Sequence, residues 1–167
     1  MAFSSKLILD ACCGGRMFWF NKQHPDTVYI DNRSAEKGCI QNGYNPNFEV
    51  KPDFLMDFRN LKFSDKTFKL IVFDPPHLFN LTENSIMKKK FGSLNKETWK
   101  EDLSKGFDEC WRVLDDYGTL IFKWNELKIS IKEVLSCFKE KPLFGHPTAK
   151  HGRTIWCVFF KNKKEDI

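Results

Sequence analysis

Leu70-Ile71-Val72-Phe73-Asp74-Pro75-Pro76-His77 is the stretch on which the fold turns. Ile71, Val72 and Phe73 are β-branched or aromatic, the side chains that suit a buried strand. Two prolines cannot continue a central strand, because neither donates an N–H to a ladder, so the strand must end at Asp74. The fixed φ of both prolines then stiffens the following loop. The stretch therefore predicts a buried strand that delivers a carboxylate to a rigid loop.

Three upstream runs share this form. Lys6-Leu7-Ile8-Leu9-Asp10, Thr27-Val28-Tyr29-Ile30-Asp31 and Phe54-Leu55-Met56-Asp57 are short, apolar and closed by Asp. In a parallel sheet the four carboxylates gather at the carboxyl edge, where open α/β sheets bind ligands. Downstream, Trp99, Leu103, Phe107, Cys110, Trp111 and Leu114 recur every three or four residues and predict a helix over 96–114, with Asn95 as its N-cap. A turn is expected at Asp115-Asp116-Tyr117-Gly118, then a strand over 119–124. A second helix should carry Leu127, Ile131, Val134, Leu135 and Phe138. Pro142-Leu143-Phe144, a polar loop from Gly145 to Arg153 and a strand over 154–160 follow. The expected fold is a doubly wound, mostly parallel α/β sheet with an antiparallel C-terminal strand pair, in one domain spanning residues 1–167.

Composition narrows the class. The chain has 167 residues, 41% of them hydrophobic, enough for a real core. A formal charge of +5 is compatible with a polyanionic partner without requiring one. The six cysteines form no C-x-x-C pair, and no Cys/His cluster has zinc spacing. The first residues are too short for a secretory apolar core and no stretch is long enough to span a membrane, so a reducing cytoplasm is expected.

Asp10-Ala11-Cys12-Cys13-Gly14-Gly15-Arg16 follows the first strand and is expected to open a short helix. Glycine there lets the backbone approach a ligand. It is not G-x-G-x-x-G, so a dinucleotide cradle is a poor match. Asp31, ending the next strand, is placed to accept ribose hydroxyls of an adenosine ligand, and Asp57 to accept from an adenine amine. In this order, Asp10 to Arg16, Asp31, Asp57 and Asp74-Pro75-Pro76-His77 resemble the signature of class I S-adenosylmethionine-dependent methyltransferases, whose sheet is Rossmann-like. The resemblance runs from residue 6 to the end. It implies S-adenosyl-L-methionine as cofactor, its methionine part held by Asp10, Ala11, Cys12 and Gly14, its ribose by Asp31 and its adenine by Asp57, with Asp74 beside it. Cys13-Gly14-Gly15 departs from the commoner G-x-G.

The loop Asp74, Pro75, Pro76 and His77 is the expected catalytic element, similar to the Asp-Pro-Pro-aromatic loop of amino-methyltransferases. An exocyclic amine has its lone pair delocalised into the ring. Acceptors on its hydrogens, the Asp74 carboxylate and the Pro75 carbonyl, free that pair, and proximity does much of the rest. His77 stands where an aromatic residue is usual. The expected reaction is N-methylation of adenine N6 or cytosine N4 in DNA or RNA. No cysteine follows a proline, which argues against carbon-5 pyrimidine chemistry. Asp74 and Lys123 supply only the middle pair of the Lys-Asp-Lys-Glu set used on ribose hydroxyls. Substrate contacts are expected from Lys88, Lys89, Lys90, Lys123, Trp124, His151 and Arg153, the lysines as a basic lid and Trp124 as a stacking platform. The compact chain, with Asp-Pro-Pro-His-Leu, Phe-Gly-Ser-Leu and Ile-Phe-Lys-Trp, resembles small phage and prophage methyltransferases. No separate target-recognition domain is expected from these 167 residues, so a protein partner is one expected source of specificity. A protein or small-molecule N-methyltransferase, and a non-catalytic nucleic-acid-binding module on the same fold, remain open as alternatives.

Overall fold

A computed structural model describes residues 6–40, 45–148 and 152–163. The strands are β1 (Ile8–Asp10), β2 (Thr27–Asp31), β3 (Phe54–Leu55), β4 (Phe68–Phe73), β5 (Leu114–Asn125), β6 (Phe144–Thr148) and β7 (Thr154–Phe160). The helices are α1 (Ile86–Phe91), α2 (Trp99–Val113) and α3 (Ile131–Leu135). The strands form one sheet in the order β3-β2-β1-β4-β5-β7-β6. β1 pairs in parallel with both β2 and β4, so the chain winds outward in two directions from this point. Ligands of open α/β sheets bind in the crevice outside such a switch. β7 runs in the reverse direction, antiparallel to β5 and to β6. The expected α/β class and the reversed terminal strand pair are both present.

Alternation along the strands divides the molecule. Leu9, Val28, Ile30, Ile71, Phe73, Leu120, Phe122 and Phe159 point to one face and join Leu103, Phe107, Cys110 and Val113 of α2 in one buried cluster. Phe107 stacks on Phe138 at 4.2 Å between ring centres. Gly106 lets α2 lie this close: a Cβ there would stand 2.4 Å from Phe58 and 2.9 Å from Phe73. On the other face, Tyr29 is covered by Trp19, edge-on at 5.1 Å, and by the Arg16 guanidinium, 3.7 Å above its ring.

Several elements differ from expectation. Residues 11–26 form turns, not a helix. The glycine pair disfavours a helix, and Arg16 adopts a φ of 51°, which interrupts any right-handed run. Ala11 N–H instead donates to the Val72 carbonyl and Cys13 N–H to that of Ile30. β3 holds only two residues, and Asp57 lies beyond it in a turn whose Arg59 N–H its carboxylate accepts at 2.8 Å. The expected turn at Asp115–Gly118 lies within β5, where the register with β4 shifts and Tyr117 takes a φ of 59°. This irregularity absorbs turn-type residues without ending the strand. α2 begins after Thr98 rather than Asn95. β6, which begins at Phe144 and is exposed at every residue, takes up the first part of the expected polar loop. An edge strand bonds on one side only and tolerates polar residues and Pro147.

Candidate functional site

A cavity of about 870 Å³ opens beyond the carboxyl ends of β1, β4 and β5. It is lined by the Ala11–Gly15 turn, Asp31, the Asp74–His77 loop and Lys123, with Lys88, Lys90 and Phe91 of α1 on its wall. A volume of this size suits a cofactor or drug-sized ligand. Sheet order brings these residues together: Asp31 ends β2, while Asp74 follows β4 directly.

The carboxylate of Asp74 accepts from Lys123 Nζ at 2.6 Å. Burial raises the Asp74 pKa above the ordinary carboxylate value, and the Lys123 charge and hydrogen bond oppose the rise. His77 faces Phe91 at 6.0 Å and the edge of Trp124 at 6.3 Å. Burial, and then the Lys123 charge, lower the His77 pKa, which favours a neutral imidazole.

Asp10 is fully buried and lies behind the cavity wall rather than on it. Its carboxylate accepts from Trp19 Nε1 at 2.7 Å and from Cys12 N–H at 3.3 Å, so it shapes the Ala11–Gly15 turn from behind. Desolvation, helped by Asp74 and Asp31, pushes its pKa up to about 7. Asp31 accepts from Gly14 N–H at 2.9 Å and Arg33 N–H at 3.0 Å. The Arg33 guanidinium grips both its oxygens.

Asp57 is turned away from its expected place. Arg59 binds both its carboxylate oxygens, and the cavity lining here includes Phe58, Arg59, Thr98 and Asp102 instead. Arg59 also donates to Asp102 at 2.8 Å, and Thr98 Oγ1 donates to the other Asp102 oxygen. Trp124 is not a stacking platform: it is 1% exposed, stacks on Phe122 and donates through Nε1 to the Ile129 carbonyl. Even-numbered residues of β5 face the helices, which carries Trp124 into the core and leaves Lys123 at the cavity.

The expected lysines divide as well. Lys88 and Lys90 line the cavity, Lys88 paired with Glu83. Lys89 points away and donates to the Cys39 carbonyl at 3.0 Å. Exposed Arg153 stands at the mouth with Asn125 and Thr154. His151 lies outside the described residues. Among the described residues no group of three or more His, Cys, Asp or Glu could hold a metal ion, and no helix is long and apolar enough to cross a membrane. Arg33 and Arg59 were missed from the sequence, although both sit in an Asp-x-Arg triplet just after a strand and each folds back on its own Asp. Phe18, also on the wall, gave no local signal.

No family model and no curated protein sequence matches the chain. Solved structures do match in shape. A Pyrococcus horikoshii protein superimposes with a TM-score of 0.60 at 16% identity, covering 98% of this chain and 85% of the other. A Methanosarcina mazei protein described as a SAM-dependent methyltransferase gives 0.55 at 14%, covering 94% and 92%. A Leishmania major SAM-dependent methyltransferase gives 0.54 at 14%, covering 96% and 67%. With its strand order, its reversed β7 and its cavity at the β1/β4 switch, the chain shares the Rossmann-like fold of S-adenosylmethionine-dependent methyltransferases.

Proposed function

We propose that this chain is an S-adenosylmethionine-dependent methyltransferase that modifies an amino group, adenine N6 or cytosine N4, in a nucleic acid. The observation that carries the reading is the Asp74-Pro75-Pro76 loop on the same cavity as the Gly14 turn and Asp31. The shared fold supports the cofactor half of the reading.

The donor set fits the cofactor. Asp31, ending β2, is an acceptor for ribose hydroxyls once Arg33 yields its oxygens. Gly14, at a φ of 46°, turns the chain where the methionine portion would lie, together with Ala11 and Cys12. Phe58 and the Arg59–Asp102 pair form the wall for the adenine, in place of Asp57. When bound, S-adenosylmethionine supplies an electrophilic methyl group on a sulfonium.

The chain's own residues then act on the amine. Asp74 and the Pro75 carbonyl accept its two N–H groups and free the nitrogen lone pair, which forms the new N–C bond. The methyl group would come from the sulfonium, which would keep the bonding electron pair. The amine proton leaves to Asp74 or to water. His77, kept neutral, offers a flat ring beside the loop and adds no positive charge next to the transferring group.

Lys90 and Arg153 on the cavity lining support a phosphate-bearing substrate. One observation favours a second reading, an amine-bearing small molecule or protein side chain: Lys88, Lys123, Arg33 and Arg59 on the wall are each engaged with a carboxylate. Transfer of labelled methyl groups to separate pools of RNA, single-stranded DNA, duplex DNA, protein and small amines tests both. Label in a nucleic-acid pool, lost in Asp74→Ala and weakened steeply by salt, supports the first reading. Label only in protein or small amines selects the second. No label in any pool, despite cofactor binding, rejects both and favours a binding module on this fold.

A further inference from the structure

We propose that Lys123 is the positioning residue for Asp74, clamping Oδ2 with its ammonium group so that Oδ1 alone remains to meet the substrate amine. The inference rests on the amino-transfer reading above and gives Lys123 a role other than contact with substrate phosphates.

The geometry begins with the sheet. Phe73 of β4 and Phe122 of β5 are paired in register, so the next residues, Asp74 just past the end of β4 and Lys123 still within β5, lie side by side. Lys123 Nζ reaches Oδ2 at 2.6 Å, a charge-assisted bond at the short end of its range. Both side chains are about a quarter exposed, at 26% and 22%, so the pair is shielded yet reachable from the cavity.

The ammonium group is also walled in. Phe18 and Trp156 place their rings 5.4 and 5.6 Å from Nζ, within cation–π range, and meet each other edge-on at 5.7 Å. Phe18 comes from the turns after β1 and Trp156 from β7. Two separate parts of the chain therefore enclose the lysine that meets this carboxylate. A flexible phosphate-seeking lysine needs no such enclosure. A carboxylate whose free oxygen must point at a reacting nitrogen does, because small errors in placement are costly.

Charge makes the same case. Asp10 on β1 lies close enough for the Asp74 charge to disfavour its ionisation. His77, in the same loop, is held toward its neutral form. Burial raises the Asp74 pKa, and Lys123 provides the opposing influence. Without Lys123, Asp74 takes up a proton at higher pH, and a protonated carboxyl no longer presents an anionic acceptor to the amine.

The test compares wild type with Lys123→Met and Lys123→Arg. The pH profile of kcat/KM for methyl transfer is measured together with the ¹³C carboxyl titration of Asp74 in the cofactor-free protein, assigned against Asp74→Asn. The expected result is a rise of roughly one to three pH units in both the acid limb and the Asp74 midpoint of Lys123→Met, with recovery in Lys123→Arg and unchanged cofactor affinity. An unmoved midpoint in folded Lys123→Met overturns the proposal, as does a rate that falls equally at every pH. If wild type methylates no amine while the midpoint still rises, the clamp on Asp74 stands and the amino-transfer reading is what fails.

Discussion

Arg33 grips Asp31, two residues before it, with Nε on Oδ1 at 3.0 Å and Nη2 on Oδ2 at 3.2 Å. The backbone N–H groups of Gly14 and Arg33 also donate to this carboxylate, which fills its roughly four acceptor positions. The remaining guanidinium nitrogen, Nη1, reaches the Lys88 and Lys89 carbonyls of α1 at 2.9 and 3.2 Å. One side chain thus ties α1 to the carboxylate proposed for the ribose.

Arg33→Ala should therefore act in two places. It removes the competitor for Asp31, so cofactor affinity measured by calorimetry should rise a few-fold. It also unties α1, so trypsin should cut at Lys88–Lys90 faster in the cofactor-free protein. A variant with unchanged proteolysis would show that Arg33 does not restrain α1.

Asp74→Ala should reduce methyl transfer on the order of a hundredfold or more, the scale for removing one well-placed polar group from a reacting centre. Cofactor affinity should change little, because Asp31 and the Gly14 turn remain. Single-turnover transfer and calorimetry on the same sample separate the two effects.

Buried Asp10 gives the protein a pH-dependent stability. Its pKa rises from 3.8 to about 7 on folding, so the native state holds the proton more tightly than the unfolded chain. Its contribution is complete in acid and is lost as the pH climbs from about 4 to about 7. Melting temperatures of wild type and Asp10→Asn, measured across that window, should differ in slope, with the flatter line belonging to the variant.

Gly106→Ala should destabilise the fold by about 1–3 kcal/mol, the usual cost of overpacking a filled core. The added methyl meets Phe58 and Phe73, which are fixed between α2 and the sheet. Urea denaturation followed by tryptophan fluorescence measures the loss.

Trp124→Phe tests the core placement of that residue. It removes the hydrogen bond to the Ile129 carbonyl, worth about 1 kcal/mol, and should leave KM for the methyl acceptor unchanged. A raised KM with unaltered stability would return Trp124 to the substrate face.

Much of this protein was legible in sequence because its strands announce themselves locally. Thr27–Asp31 is a strand at the expected residues, and Asp74-Pro75-Pro76 ends β4 because two prolines leave no other choice. The ordered carboxylates at strand ends marked the correct edge of the sheet. Tertiary structure decided which side chains reach the cavity. A period-two alternation cannot tell which face of β5 receives the helices, and that packing buried Trp124 and presented Lys123. Arg33 and Arg59 occupy Asp31 and Asp57 because free carboxylates near a buried edge attract the nearest cation, and only the folded turns bring it within reach. The Lys123–Asp74 pair joins residues far apart in the chain, and the β4–β5 register alone makes them neighbours.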